Sequence, residues 1–350
     1  MSTVRPHTGI VLINVGTPDS PSVKDVGRYL RQFLGDGRVI DLPWLGRKLL
    51  VNGVIVPFRA PKSAKAYKKL WTTDGSPLVA HGKALRDGLR SALGEGYAVA
   101  LGMRYQNPSL ERALLEVKGA GVQRIILAPL FPQYASSSTG SALEEAFGIM
   151  SRWNDVPPVA TLPSFHREEG YLASFAKRIL QCDPANYDHV LFSFHGLPNA
   201  HIRRSHAASA SYIGDARKAD LVAGCACEVG DHDKHPSCYK MQCHTTARAL
   251  AQRCGIRAGA WSVGFQSRLD QDWLQPFSDK RIAELGKGSC KKLLVVSPAF
   301  VADCLETVIE IGEEYRDLFL EHGGKELKLV ESLNASSYWV QAFADLLRQT

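Results

Sequence analysis

The sequence predicts an α/β protein of two similar domains, each a parallel sheet with helices packed on both faces. Three observations carry this. Short apolar, β-rich runs alternate with longer segments of helical period. The runs are near-continuous Val, Ile and Leu, as strands covered on both faces require. Two pairs of runs also repeat. VLINVGTP (Val11 to Pro18) is similar to VLFSFHGLP (Val190 to Pro198), and RIILAPLFP (Arg124 to Pro132) to KLLVVSPAF (Lys292 to Phe300), at offsets of 179 and 168 residues.

Taken in order, the strands are expected at Gly9 to Val15, Tyr97 to Leu101, Arg124 to Leu130, His189 to Phe194, Ala260 to Phe265 and Lys292 to Ser297. A chain of 350 residues exceeds one ordinary core. The break is expected near Pro157 to Arg167, where PPVATLPSFHR is rich in Pro and poor in helix formers. That divides the chain into residues 1–160, residues 161–335 and a final helix, 336–350, packing back on the first domain.

Hydrophobic residues at 45% and charged residues at 22% exclude a disordered or fibrous chain. The net charge of +7 calls for an acidic partner. An RNP-like aromatic motif, finger spacing and a dense Lys/Arg run are all missing, which argues against nucleic acid. MSTVRPHTGIVLINVG lacks the apolar core and cleavage site of a secretory signal, and no window is apolar enough to span a bilayer. The expected location is the cytoplasm. The most apolar stretch, Val39 to Phe58, is broken by Asp41, Pro43, Arg47, Lys48 and Pro57, so it should lie on a membrane surface, peripherally at the inner membrane, or line a cleft.

Ligands of parallel sheets bind at the loops leaving the carboxyl ends of strands. His195 stands at such an exit, where a neutral imidazole accepts protons near pH 7 or binds a metal. After another strand, SPAFVADCLETVIEIGEEY reads as a helix from Asp303, with Asp303, Glu306, Glu310 and Glu313 or Glu314 on one face, and Val308, Ile309, Ile311 and Tyr315 at other angles. Such a row is by default a solvated surface. Here it begins at a strand exit, and its like charges repel unless protons or a divalent cation intervene.

Two further stretches bear on binding. LFPQYASSSTGSALEEAF offers hydroxyls and N–H groups to an anion, or simply caps a helix. RAPKSAKAYKKLWTTDGSPL places Arg59, Lys62, Lys65, Lys68 and Lys69 beside Tyr67 and Trp71, directly after the apolar stretch. An apolar lip with a basic rim suits a flat, hydrophobic ligand bearing carboxylates. Phe265, Trp273 and Phe277 would be cleft walls or core.

Four of the eight cysteines fall within LVAGCACEVGDHDKHPSCYKMQC, as Cys225, Cys227, Cys238 and Cys243. The spacing C-x-C-x10-C-x4-C supplies four thiolates from one loop, fit for a [2Fe-2S] cluster or a structural zinc, with His232 or His235 able to replace one thiol. Cys182, Cys254, Cys290 and Cys304 read as ordinary thiols.

From about Gly9 to Trp339 the motifs, in order INVGTPDSPSVKDVGRYL, RAPKSAKAYKKLWTTDGSPL, MRYQNPSL, PLFPQYASSSTGS, FSFHGLP, GFQSRLDQDWLQPFSD and SPAFVADCLET, resemble the ferrochelatases. The resemblance implies two Rossmann-like domains of the chelatase type around a cleft, and a lyase that inserts Fe²⁺ into a porphyrin, protoporphyrin IX or coproporphyrin III, with loss of two protons. It places the active-site histidine on His195 and its acidic partner on Glu306, both meeting the substrate Fe²⁺. Asp303, Glu310 and Glu314 would form a proton or metal path. Porphyrin contacts fall on Arg59, Lys62, Tyr67, Ser76, Arg104, Tyr105, Trp273 and Phe300. Some members have His where this chain has Cys304.

Family members usually pass straight from Gly-Asp-Pro-Tyr to a Gln-Cys pair, so residues 216–243 here are an insertion. The favoured cofactor is [2Fe-2S], on internal ligands, since no cysteine follows Cys304. Monomer and homodimer both remain open. The alternatives are a chelatase for cobalt or nickel, or a porphyrin or haem carrier, for which the acids after Asp303 would have no use.

Overall fold

The computed structural model describes residues 6–209 and 236–350. The first half runs β1 (Thr8–Gly16), α1 (Val23–Gly35), α2 (Trp44–Leu49), a π-helical turn (Leu50–Ile55), α3 (Val56–Leu70), α4 (Pro77–Leu93), β2 (Tyr97–Tyr105), α5 (Leu110–Gly119), β3 (Arg124–Pro129), α6 (Ser141–Met150) and β4 (Val159–Thr161). The second runs α7 (Glu169–Leu180), β5 (His189–His195), α8 (Asn199–Ser209), α9 (Tyr239–Arg253), β6 (Trp261–Gln266), α10 (Ser278–Lys287), β7 (Lys292–Val296), a π-helix (Glu306–Tyr315), α11 (Arg316–Glu321), β8 (Glu326–Leu329) and α12 (Ser337–Gln349).

Two four-stranded sheets result, β2-β1-β3-β4 and β6-β5-β7-β8, parallel throughout. The order is the same in both, so β1 corresponds to β5 and β3 to β7, the pairs whose sequences repeat. The apolar runs sit where both faces are covered. Ile10 to Ile13, Ile125 to Ala128 and Leu293 to Val296 have no exposed surface, and burial of such side chains stabilises by about 1.5–3 kcal/mol each.

Sequence periodicity missed β4 and β8. Both are short edge strands, β4 lies inside the Pro-rich stretch read as a linker, and β8 alternates charged with apolar residues. Edge strands are covered less, so their pattern is weak.

α12 packs on α4 and on α7. It is pinned by Trp339, 1% exposed, which stacks on Phe343 at 4.8 Å and faces Phe165 at 6.1 Å. One apolar cluster includes Ile10 and Leu12 of β1, Phe192 and Phe194 of β5, and Trp339 of α12. The halves therefore share buried surface, and the carboxyl ends of their sheets border a common cleft. No described helix is long and apolar enough to cross a membrane.

Candidate active site

His195 is the last residue of β5, half-exposed, with its ring 6.5 Å from Trp273 and 6.3 Å from Phe300 between centroids. Its Nδ1 lies 2.6 Å from the Gly196 carbonyl oxygen. A carbonyl only accepts, so Nδ1 carries a hydrogen, and in the neutral ring the lone pair is on Nε2. The next residue must be small, because a Cβ on Gly196 would stand 2.8 Å from the Gln266 carbonyl and 3.3 Å from the Trp273 ring. Glycine thus brings β5, β6 and Trp273 together behind the imidazole.

The acids differ from the expected α-helical face. Residues 306–315 are wound as a π-helix, preceded by a turn from Val301. On a helix of 3.6 residues per turn, residues five apart diverge by about 140°, which is why Tyr315 read as facing away from Glu310. π-winding bonds i to i+5 and returns them to one face. The Tyr315 hydroxyl accordingly donates to Glu310 Oε1 at 2.7 Å.

Glu310 also accepts from Ser267 N at 2.8 Å, Ser267 Oγ at 2.5 Å and Gln266 Nε2 at 3.3 Å. Burial pushes its carboxyl up, the Ser267 and Tyr315 hydrogen bonds oppose this, the Glu306 charge adds to the rise and His195 pulls back. The net direction is up. Glu306 and His195 both act on Glu310, and Gln266, paired in register with His195, reaches Glu310 with its side chain, so the three residues gather at the end of β6. Gln266 Nε2 further donates to the Glu306 carbonyl at 2.8 Å, tying the end of β6 to the first residue of the π-helix.

The other acids grade outward. Asp303 is buried, and its carboxylate accepts from Asn334 Nδ2 at 2.8 Å, Thr307 Oγ1 at 3.1 Å and Ser332 N at 3.4 Å. Glu306 is half-buried, with the Cys304 thiol bonded to it. Glu313 pairs with Lys69 of α3 at 2.7 Å across the cleft, and Glu314 is exposed.

Across from the π-helix stand residues of the first half. Tyr29, Tyr67 and Tyr105 pack with Val51, Val56 and Ile309. Tyr29 meets Tyr67 and Tyr105 edge-on at 6.4 and 6.5 Å. Burial raises the phenols of Tyr29 and Tyr67, and the Glu306 charge raises them further; Leu305 and Ile309, on either side of Glu306 in the chain, pack on this wall. Arg59, whose charge acts on Tyr29, and Lys62 are exposed on α3. Thr17 links Ser76, which donates to it at 3.0 Å, to the Tyr67 hydroxyl.

Arg104 and Tyr105 are engaged elsewhere. Arg104 Nη2 and the Tyr105 hydroxyl both donate to Asp36 Oδ2, at 2.9 and 2.8 Å, and Ser141 Oγ donates to the same oxygen at 2.5 Å. Burial pushes the Asp36 carboxyl up, but the hydrogen bonds from Ser141, Arg38 N and Tyr105, with the Arg104 charge, outweigh it and hold it below the usual range. The hydroxyl-rich loop joins this network, with Ser136 Oγ accepting from Arg38 at 2.8 Å, so its polar groups brace the wall. Phe265 and Phe277 are fully buried core, and Trp273 is the half-exposed aromatic beside His195. Two cavities of about 510 and 480 Å³ lie around α4 and α5, and neither is lined by His195 or Glu306.

Cys225 and Cys227 lie outside the described residues, as do His232 and His235. Cys238 and Cys243, at the start of α9, have no exposed surface. Burial raises both thiols, while backbone N–H groups of Met241 and Lys240 point at the Cys238 sulfur. Sulfur cradled by amides at a helix start suits a metal-bound thiolate. Among the described residues no group of three or more His, Cys, Asp or Glu side chains converges on a metal site.

Tyr29, Asp36, Gln266 and Ser267 were not read from sequence as site residues. Tyr29, Gln266 and Ser267 lie inside the resembling motifs, whereas Asp36 follows α1 in a turn with no local signal.

A family model described as Ferrochelatase matches residues 7–350. The ferrochelatase of Coxiella burnetii is 40% identical over 344 residues, covering 98% of this chain and 93% of its own length. That of Pseudomonas putida is 42% identical over 341 residues, covering 96% and 97%. Among solved structures, SirB from Bacillus subtilis with Fe³⁺ aligns with a TM-score of 0.53 at 12% identity, over 98% of this chain and 94% of that one, a likeness of fold alone. The sirohydrochlorin chelatase SirB in complex with cobalt gives 0.52 at 11%, with the same coverage. Relatives matched from end to end at two-fifths identity share more than architecture, and the chain belongs to the ferrochelatase family.

Proposed function

We propose that the chain inserts Fe²⁺ into a porphyrin held between the tyrosine wall of the first half and the π-helix of the second, releasing two protons to form haem. One observation supports this reading: His195, Glu306 and Glu310 gather around Gln266 at the end of β6, with His195 Nδ1 held by the Gly196 carbonyl and Nε2 left to face a ligand. Metallation needs these parts, because two pyrrole N–H protons must leave while the ion sheds water and enters the ring. A ring held bent exposes its nitrogen lone pairs to the ion.

His195 Nε2 accepts a pyrrole proton, Nδ1 being committed to Gly196. Glu306, at the inner end of the π-helix, meets the incoming ion or takes the second proton. Glu310, with its carboxyl raised, exchanges protons with Glu306 and passes them towards Glu314 at the surface. Asp303, fixed by Asn334, Thr307 and Ser332, holds the turn that presents Glu306. Tyr67, Trp273 and Phe300 cover the macrocycle, Arg59, Lys62 and Ser76 meet its carboxylates, and Arg104 and Tyr105 shape the wall through Asp36. Carboxylate and imidazole ligands bind several divalent ions, so iron follows from the family and not from the ligand set.

Cys225, Cys227, Cys238 and Cys243 would hold a [2Fe-2S] cluster, which stabilises the loop they close. The two sulfurs within the described residues fit such a group, being buried together and met by backbone N–H. Leu45, Leu49, Trp44 and Phe58, at 60%, 66%, 64% and 80% exposed, form with Arg47 and Lys48 a lip that rests on an anionic bilayer surface.

Four outcomes test these assignments. Glu306→Gln should lower anaerobic Fe²⁺ insertion by about a hundredfold or more while porphyrin binding stays nearly intact; equal loss of both removes the assigned role. Tyr315→Phe deletes a donor that favours charged Glu310, so its carboxyl rises further and the acid limb of the kcat/KM profile should move to higher pH, a downward move contradicting the relay. The purified protein should show iron-sulfur absorption that a strong chelator bleaches, and a colourless zinc protein ends the cluster assignment. Co-sedimentation with vesicles containing an anionic phospholipid should be lost in Trp44→Asp/Phe58→Asp, and retention would deny the lip its role.

A further inference from the structure

The turn that delivers Glu306 is held by a residue beyond the last of the seven motifs. Asn334, in the segment between β8 and α12, is 6% exposed and stands at a φ of 51°. That is the left-handed region, where asparagine is one of the few side chains tolerated. From there it reaches the turn after β7 with three groups. Its N–H donates to the Val301 carbonyl at 2.8 Å. Its Oδ1 accepts the Asp303 N–H at 2.9 Å, and its Nδ2 donates to Asp303 Oδ2 at 2.8 Å. One amide thus serves the backbone and the carboxylate of the same residue, which needs an acceptor and a donor side by side.

Asp303 passes the hold forward. Its Oδ1 takes the Thr307 hydroxyl hydrogen at 3.1 Å, and that hydroxyl oxygen accepts the Cys304 N–H at 3.0 Å. Thr307 adjoins Glu306 at the start of the π-helix. The segment bearing Asn334 is itself anchored. Leu333 has no exposed surface, and Val330 N donates to the Val295 carbonyl of β7 at 2.8 Å. Nδ2 also donates to Glu331 Oε1 at 3.0 Å, and Arg178 of α7 holds that carboxylate at 2.9 and 3.2 Å. We propose that Asn334 is a positioning residue for Glu306, and that its side-chain amide, more than its backbone conformation, sets where the acid stands in the cleft. This rests on Glu306 being the acid that metallation uses.

Asn334→Gly separates the two contributions. Glycine adopts the left-handed backbone freely and keeps the N–H on Val301, so only the amide is lost. Porphyrin Kd should be nearly unchanged, while kcat for anaerobic Fe²⁺ insertion falls about ten- to a hundredfold, as for a catalytic group displaced by up to about 1 Å. In a Glu306→Gln background the same substitution should cost nothing further, because its effect passes through the lost carboxylate. Parental kcat in Asn334→Gly, or an equal fall with and without Glu306, overturns the proposal. Should the glycine variant not fold, Asn334→Asp takes its place: it keeps the tolerance for this backbone and the acceptor, but sets an oxygen against Asp303 Oδ2. Its kcat should fall in the same way, and adding Asp303→Asn, which returns a donor to that contact, should recover most of the loss; no recovery overturns the proposal. Undiminished metallation by Glu306→Gln would instead fail the reading of Glu306, which that single variant shows without reference to Asn334.

Discussion

Satisfying the Glu310 carboxyl, enclosed between the end of β6 and its own π-helix, is the constraint around which this side of the cleft is organised. An uncompensated buried carboxylate is costly, and here Ser267 offers two donors, Tyr315 a third and Gln266 a fourth. Those donors come from the end of β6 and from five residues along the same helix, so sheet and helix must meet at a fixed distance and the helix must be π-wound. The same winding keeps Glu306 close enough to raise Glu310 further. Glu306 and Glu310 are thereby held at the end of β6, whose last residue, Gln266, is paired in register with His195.

The opposite wall is rigid for a related reason. Asp36 is a buried acid that stays ionised because Ser141, Arg38, Tyr105 and Arg104 all serve it. A satisfied polar network specifies one arrangement of its members, and this one fixes Tyr105, which packs against Tyr29, which in turn meets Tyr67. Arg59 and Lys62, the cations proposed to meet the porphyrin's carboxylates, are exposed on α3 at the rim. Stiffness and reach thus belong to different residues. The exposed Lys69–Glu313 pair joins rim to π-helix, where solvent limits such a pair to about 0–1 kcal/mol, so it orients more than it stabilises.

Behind the imidazole the chain is held through backbone groups. Gly196 admits the close approach of β6 and Trp273, Gln266 takes the Gly196 N–H, and Tyr239 takes the carbonyl of His195. Small shifts in such contacts matter because a reacting group displaced by about 1 Å loses about a hundredfold in rate. The cysteine-bearing helix α9 is also tied to the first half, with Gln242 accepting from Tyr134 N at 2.6 Å and Thr246 from Gln133 at 3.0 Å. It therefore braces both sides of the cleft.

By itself the sequence determined the two parallel sheets and the placing of His195 and the acids at strand exits, because doubly covered strands must be continuously apolar and the loops after them must break that pattern. The resemblance of seven ordered motifs carried the family. The tertiary structure alone decided which polar groups meet. That Tyr315 faces Glu310 depends on π-winding, which obeys burial and not local propensity; that Asp36 serves Arg104 and Tyr105 joins positions whose separation in sequence leaves no periodic trace. The grip of Tyr239 on the His195 carbonyl was hidden for the same reason: hydrogen bonds to a backbone carbonyl ask nothing of the side chain that bears it, so no residue pattern records them.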